Sequence, residues 1–385
     1  MRYTVTAALV TLAVTLPPAL AAPTFTIDGR AVSVPTVEQG GKVYADVAAL
    51  ARALGATVTY DAAKKAYVVT TARTGAAAQT PAVQGTTQQA GGAGELGRTY
   101  TLGKLDPLNF TLRSAAYGVA RVSVGDGVIV PNADEKLLVL RYTVQNPQKS
   151  ETNFYWGSLK FTAVDARDVS HAYERVAARD GTTESLQLTL KPAQKIDVVA
   201  VVKVPASGVV PKLIVEREDG SPVLRYDLRG KVSALPAPLA DPADPSGATA
   251  RTTVPANAGT YVPMGLFDAR LDGVTFAKSA GDLTPADGRR FLVATFTLRN
   301  TTNAAQDYYW GSFGAQLGDA DGEDAPWRKQ LLKATRDEDA RGSLKPGEEY
   351  RVRFLFELPE NVAGKTLTLR EGDSRAYEFD VSAAK

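Results

Sequence analysis

There is no cysteine in the 385 residues, and there is a single histidine, His171. The first absence removes disulfides, thiolate nucleophiles and thiolate metal sites, so stability has to come from packing. The second leaves His171 without another imidazole or a thiolate to complete a metal shell. Excess charge is missing too: Lys+Arg 44 against Asp+Glu 42 leaves +2. Such a balance gathers neither nucleic acid nor anionic lipid, so nucleic-acid binding is not expected. No Walker or dinucleotide glycine pattern occurs. The Gly-Ser pairs at 157–158 and 311–312 lack the flanking residues of a nucleophile elbow.

What is there is globular in composition, 44% hydrophobic and 8% aromatic. The length allows two or three domains. The N-terminus reads as a secretory signal peptide over 1–21. Arg2 is followed by apolar residues or Thr from Tyr3 to Leu16, then Pro17-Pro18, with Ala19-Leu20-Ala21 as the small-x-small cleavage pattern. That apolar run is shorter than the roughly 20 residues that span a bilayer. No second one follows, so the expected product is exported, with no integral membrane segment after signal cleavage.

The chain then repeats itself. Asn146 and Asn300, Tyr155-Trp156-Gly157-Ser158 and Tyr309-Trp310-Gly311-Ser312, and Leu190-Lys191-Pro192 and Leu344-Lys345-Pro346 share one spacing, 154 residues (146 to 300, 155 to 309, 190 to 344). A constant spacing implies two tandem domains of one fold. Both copies alternate with period two. Leu138, Leu140, Tyr142 and Val144 share a face, matched by Leu292, Ala294, Phe296 and Leu298. Ile196, Val198, Ala200, Val202 and Val204 share another, matched by Tyr350, Val352, Phe354, Phe356 and Leu358. With turn signals every 8–12 residues, the pattern predicts antiparallel β-sandwiches over 99–230 and 259–385. An Ala/Gly/Gln/Thr-rich flexible linker is expected over 73–98, and a stiffer Pro/Ala-rich linker over 231–258.

Residues 22–72 predict a small α+β domain. A hairpin turns at Asp28-Gly29, a helix is capped by Asp46 and carries Val47, Leu50, Ala51 and Leu54 before Gly55, and a second hairpin runs through Thr57–Tyr60 and Tyr67–Thr70. The run from Gly41 to Asp61, with its Ala-Leu-Gly-Ala helix end and Tyr60-Asp61 strand end, resembles the copper amine oxidase N-terminal-like (stalk) domain of secreted bacterial proteins. It departs from that family at Ala45-Asp46-Val47. The resemblance implies a fold and an extracytoplasmic setting. It does not imply oxidase chemistry, which needs several histidines. The two repeats resemble immunoglobulin-like domains of unknown function in exported bacterial proteins. The shared features are the strand ending in Asn and, in the second copy, the Leu-Lys-Pro-Gly-Glu turn at 344–348 and the closing Leu358-Pro359; the first copy carries Leu-Lys-Pro-Ala-Gln instead. This resemblance implies no site.

The candidate binding residues are Tyr155, Trp156, Tyr309 and Trp310. Such aromatics can stack on sugars or a partner. Set against that is a core role, with the following Gly permitting a close backbone approach; neighbouring strand residues face opposite ways, so one of each pair must look outward. The core role is favoured for the tryptophans. Asp319, Asp321 and Asp324 form a weak calcium candidate, with a solvated Asp-Gly turn favoured because only Asp165 and Asp168 echo the cluster in the first copy. No catalytic residue, metal or cofactor is expected. The chain reads as an exported, non-enzymatic, modular protein of the cell envelope that binds or scaffolds wall polymer or an envelope protein. The alternatives are a carboxylate-dependent hydrolase of an envelope glycan and a ligand-free spacer.

Overall fold

The computed structural model describes residues 92–217 and 219–384 continuously, and before them only the segments 25–27, 30–32, 36–40, 42–46, 49, 56–61 and 66–71. The leader over 1–21 and the linker residues 73–91 lie outside the described residues. Two units are present, divided between Thr87 and Gln88.

The first unit shows three antiparallel hairpins: Phe25–Ile27 with Arg30–Val32, Thr36–Gln39 with Lys42–Ala45, and Ala56–Asp61 with Ala66–Thr71. The first and third are the expected ones. The second was not expected from the sequence pattern. Of the expected helix only its start is described: Ala49 is helical, and its N–H donates to Asp46 Oδ1 at 3.0 Å, as a capping Asp should accept. The rest of it, Val47-Ala48 and Leu50 to Gly55, lies outside the described residues. The α+β description of this unit therefore gives way to three described hairpins.

The second unit is all β and holds both repeats as sandwiches. In the first, one sheet runs Ala178–Arg179, Lys195–Pro205, Glu135–Gln145, Leu108–Gly118, Val232–Ser233, with Thr99–Leu102 also on Leu108–Gly118. The facing sheet runs Ser170–Ala172, Lys160–Val164, Lys212–Glu216, Leu224–Asp227, Gly92–Gly94. In the second, the sheets are Val262–Met264, Phe267–Ala277, Arg289–Arg299, Glu349–Pro359, Trp327–Lys333, and Thr253–Ala256, Ala376–Asp380, Gly364–Glu371, Phe313–Asp319, Asp324–Ala325. The alternating faces behave as their pattern requires: Leu138, Leu140, Tyr142 and Val144, and Leu292, Ala294, Phe296 and Leu298, are all buried. Both copies bulge at one place, between Arg141 and Tyr142 and, on the partner strand, between Leu271 and Gly273 opposite Thr295 and Phe296. No described helix is long and apolar enough to cross a membrane.

The shared Asn and the Leu-Lys-Pro turn explain each other. Asn146 is fully buried. Its amide donates to Leu190 O (2.9 Å) and Ser150 O (2.8 Å), and its oxygen accepts from Gln148 N–H. Asn300 does the same with Leu344 O (2.8 Å), Ala304 O (2.7 Å) and Thr302 N–H. A buried amide with both ends bonded ties strand end to turn, and leaving it unpaired is costly.

Both linker expectations need correction. Gly92–Gly94 is not tether but an edge strand, parallel to Leu224–Asp227. Its bare backbone admits the Tyr226 ring, which a Cβ on Gly94 would meet at 2.6 Å. The small residues that suggested flexibility are what let an aromatic lie against the chain. Residues 231–258 are packed rather than extended. Val232–Ser233 joins the first sandwich's sheet, and Leu235, Ala248 and Ala250 lie in its core. Leu239 packs against both cores. Lys136 closes the arrangement from a fully buried position. Its ammonium donates to Ala206 O (3.1 Å), Gly208 O (2.5 Å) and Ala248 O over the Tyr117 ring, and burial pushes its pKa down to about 8.

The sandwiches also touch directly. Arg121 donates to Gly265 O, Phe267 O, Asp268 Oδ1 (2.6 Å) and Thr301 Oγ1. The buried Arg375 reaches back to Ala133 O (2.8 Å) and Glu135 O (3.0 Å). Arg121 sits beside a local insertion. Tyr117 to Leu138 covers 21 positions where the paired Phe276 to Leu292 covers 16, and the first copy uses the surplus for a hairpin, Val122–Val124 with Gly127–Ile129.

Candidate functional site

In each copy a short edge strand delivers the aromatic pair: Thr152–Tyr155 beside Gln187–Leu190, and Gln306–Tyr308 beside Gly342–Leu344. Phe154 and Tyr308 face inward and are buried. The next residue must face out. The chain then tightens into a single 3₁₀ turn, Trp156–Ser158 and Trp310–Ser312, which carries the tryptophan away from the core. The core role expected for the tryptophans is therefore overturned. Tyr155 and Trp156 are 45% and 40% exposed, and Tyr309 and Trp310 51% and 50%.

The glycine and serine of the motif hold this pair in place. The Tyr155 ring folds back over Gly157, where a Cβ would meet its Cε2 at 2.5 Å, and the Tyr309 ring does the same over Gly311. The glycine is required for space, not for a left-handed backbone. Ser158 Oγ accepts the Tyr155 N–H at 3.0 Å, and Ser312 Oγ the Tyr309 N–H at 3.4 Å. Each tyrosine meets its tryptophan edge to face, with centroids 5.9 Å and 6.3 Å apart and rings inclined at 86° and 79°. These are favourable aromatic geometries. Four large rings thus stand in solvent, each pair pinned by its own backbone.

Cations flank the pairs, and pattern reading missed them. The Arg175 guanidinium lies 5.9 Å over the Trp156 ring, and Tyr173 OH donates to Trp156 O at 3.1 Å. Tyr173 bridges to Val202 as Trp327 pairs with Phe356, so Lys329 holds Arg175's register position in the second copy. Lys329 is exposed with a left-handed φ of 48°, a conformation that a lysine adopts at a cost. Its strand, Trp327–Lys333, packs against the Trp310 turn. Arg341 precedes Gly342, the ladder partner of Tyr308, and so stands across from Tyr309. The 154-residue spacing applied to the charges as well as the aromatics would have found the 175–329 pair.

The calcium candidate dissolves into loop structure. Asp319 is buried, and its Oδ1 accepts the N–H groups of Asp321 (2.9 Å) and Glu323 (2.8 Å). Asp324 accepts from Gln316 Nε2 (2.9 Å). Asp165 holds its own loop identically through Arg167 and Val169 N–H, at 2.8 and 3.0 Å. What recurs is therefore a carboxylate that closes a turn. Among the described residues no group of three or more His, Asp or Glu is placed to hold a metal. His171 Nε2 lies 3.1 Å from Asp165 Oδ2. Burial opposes ionisation of Asp165, yet the hydrogen bonds from His171 and the loop hold its carboxyl below the usual range. His171 thus belongs to the turn.

No family model matches the chain, and no curated protein sequence matches it. Among solved structures, similar chains include an uncharacterized β-sandwich protein of Clostridium difficile 630 (11% identity over 37% of this chain and 98% of that one, TM-score 0.29). Others are the secreted protein MPT63 of Mycobacterium tuberculosis (13% identity, 36% and 99%, TM-score 0.27) and the yjhA protein of Bacillus subtilis (13% identity, 32% and 98%, TM-score 0.23). None of these three is described as a copper amine oxidase stalk domain. At these TM-scores the likenesses carry no functional argument.

Proposed function

We propose that this chain is an exported, non-enzymatic binding protein of the cell envelope, with its two sandwiches presenting the same aromatic contact surface to wall polymer or an envelope protein. One observation carries the reading. An outward Tyr-Trp pair, pinned by a glycine beneath the Tyr ring and a serine on the Tyr N–H, occurs in both copies. A sandwich needs neither pair for its core, and exposing large aromatics in duplicate favours recognition. The leader pattern of residues 1–21 supports export. Asp319 and its counterpart Asp165 accept backbone N–H groups within their own turns.

Co-sedimentation with isolated envelope material tests this. The Trp156→Ala/Trp310→Ala variant should lose co-sedimentation while its stability stays within about 1 kcal/mol of the parent, as expected for surface positions. Undiminished co-sedimentation would refute the surface. A loss of several kcal/mol would return the tryptophans to the core.

A further inference from the structure

We infer that the two aromatic pairs take a linear anionic glycan, with Arg175, Lys329 and Arg341 meeting its acidic groups; this rests on the binding function proposed above. Three features of the surface favour that occupant. First, the exposed rings offer apolar faces of the kind that stack on the C–H face of a pyranose. Second, the flanking cations have no ion-pair partner among the described residues: Arg179 and Arg328 have Glu184 and Glu357, whereas Arg175, Lys329 and Arg341 stay exposed without one. In the second copy Asp307, two residues before Tyr309 on the same face, is an acid beside the pair, and Lys329 and Arg341 outnumber it there. An unneutralised cation beside an aromatic fits a ligand that carries both an apolar face and a negative group.

Third, the arrangement is duplicated within one unit whose sandwiches are bonded to each other through Arg121 and Arg375. Two like sites on a fixed frame suit a ligand that repeats its own chemistry along its length. A polymer engaging both gains effective concentration without any new contact. The pairs stand on turns with about half of each ring residue exposed, which suits a chain passing across the surface.

The experiment measures binding of the full chain to polygalacturonate, dextran and poly-glutamate by titration calorimetry, at low and at raised salt. Polygalacturonate should bind at least tenfold more tightly than dextran, and raised salt should shrink that margin. Arg175→Ala/Lys329→Ala/Arg341→Ala should abolish the preference for the acidic polymer. Trp156→Ala/Trp310→Ala should abolish binding to both glycans. Either single Trp variant should lose on the order of 10²-fold, because the second contact no longer adds to the first. Equal affinity for dextran would overturn the acidic assignment. Equal affinity for poly-glutamate would show attraction by charge alone and overturn the glycan. Should no polymer bind while Trp-dependent co-sedimentation with envelope material persists, the glycan inference falls and the binding function stands. If both fail, both fall.

Discussion

Ala193 is the residue at which the two copies differ most instructively. It sits at φ 64° in the first copy's Lys-Pro turn, where the second copy has Gly347 at φ 79°. The turn is otherwise the same: Ala193 and Gly347 donate their N–H to Asn146 O and Asn300 O. A side chain in the left-handed region costs about 1–2 kcal/mol, against about 0.5–1 kcal/mol for the extra freedom of an unfolded glycine. Ala193 is exposed, so its replacement opens no cavity. Ala193→Gly should therefore stabilise the protein by about 0.5–1 kcal/mol, seen as a higher midpoint in urea with an unchanged slope. A lower midpoint would show that the turn is not strained. The same scale explains the tryptophans. Tyr-Trp-Gly-Ser is legible as a motif, but outward and inward placement of Trp156 depends on a 3₁₀ turn that period-two reasoning cannot contain. Gly157 allows a close approach, but the approaching group is the neighbouring Tyr155 ring instead of backbone.

Elements with strong alternation were read correctly, since one face of a half-buried strand has to be apolar. Glu135–Gln145 is the clearest case, whereas Arg289–Arg299 also buries Phe291 and Val293 on its other face. The 231–258 connection is not legible as packed structure because Ala and Pro advertise little burial. Its order comes from contacts distant in sequence, such as Lys136, and from one local acid. Asp244 accepts from Ser246 Oγ (2.6 Å), Ser246 N–H (2.9 Å) and Thr249 N–H (2.8 Å). The Ser246 and Thr249 bonds hold its carboxyl below the usual range. A carboxyl lowered by folding contributes stability above its unfolded pKa, near 4, and loses that contribution as pH falls through the folded value. Asp244→Asn should therefore melt lower than the parent at pH 6, with the gap narrowing as pH falls below about 4. A gap independent of pH would mean that the charge is not what holds the turn.

For the whole molecule, the direct contacts replace the expected pair of independently tethered sandwiches with a bonded pair. Arg121 is nearly buried and Asp268 retains Arg299 at 3.0 Å, so Arg121→Ala should cost about 1.5–3 kcal/mol, the range for charged hydrogen bonds. It should also split one calorimetric transition of the sandwich pair into two. Two transitions already present in the parent would mean that the contact does not couple the copies. Protease should spare 231–258 in the parent, since much of its backbone is hydrogen-bonded and Leu235, Ala248 and Ala250 anchor it in the core.

The five-residue surplus that makes the 122–129 hairpin has a wider consequence. The two copies meet through different surfaces, one end of the first against the other end of the second, and a joint of that kind between identical modules is open-ended: each new module offers the next one a landing place. Here the joint is specific to one ordered pair. The second copy spans the corresponding stretch with the shorter connection, and the first copy has Asn109 opposite Gln145 where the second has Asp268 opposite Arg299. The plug is on the first module and the socket on the second, so the joint sets the order of the two copies and holds their aromatic surfaces in one frame.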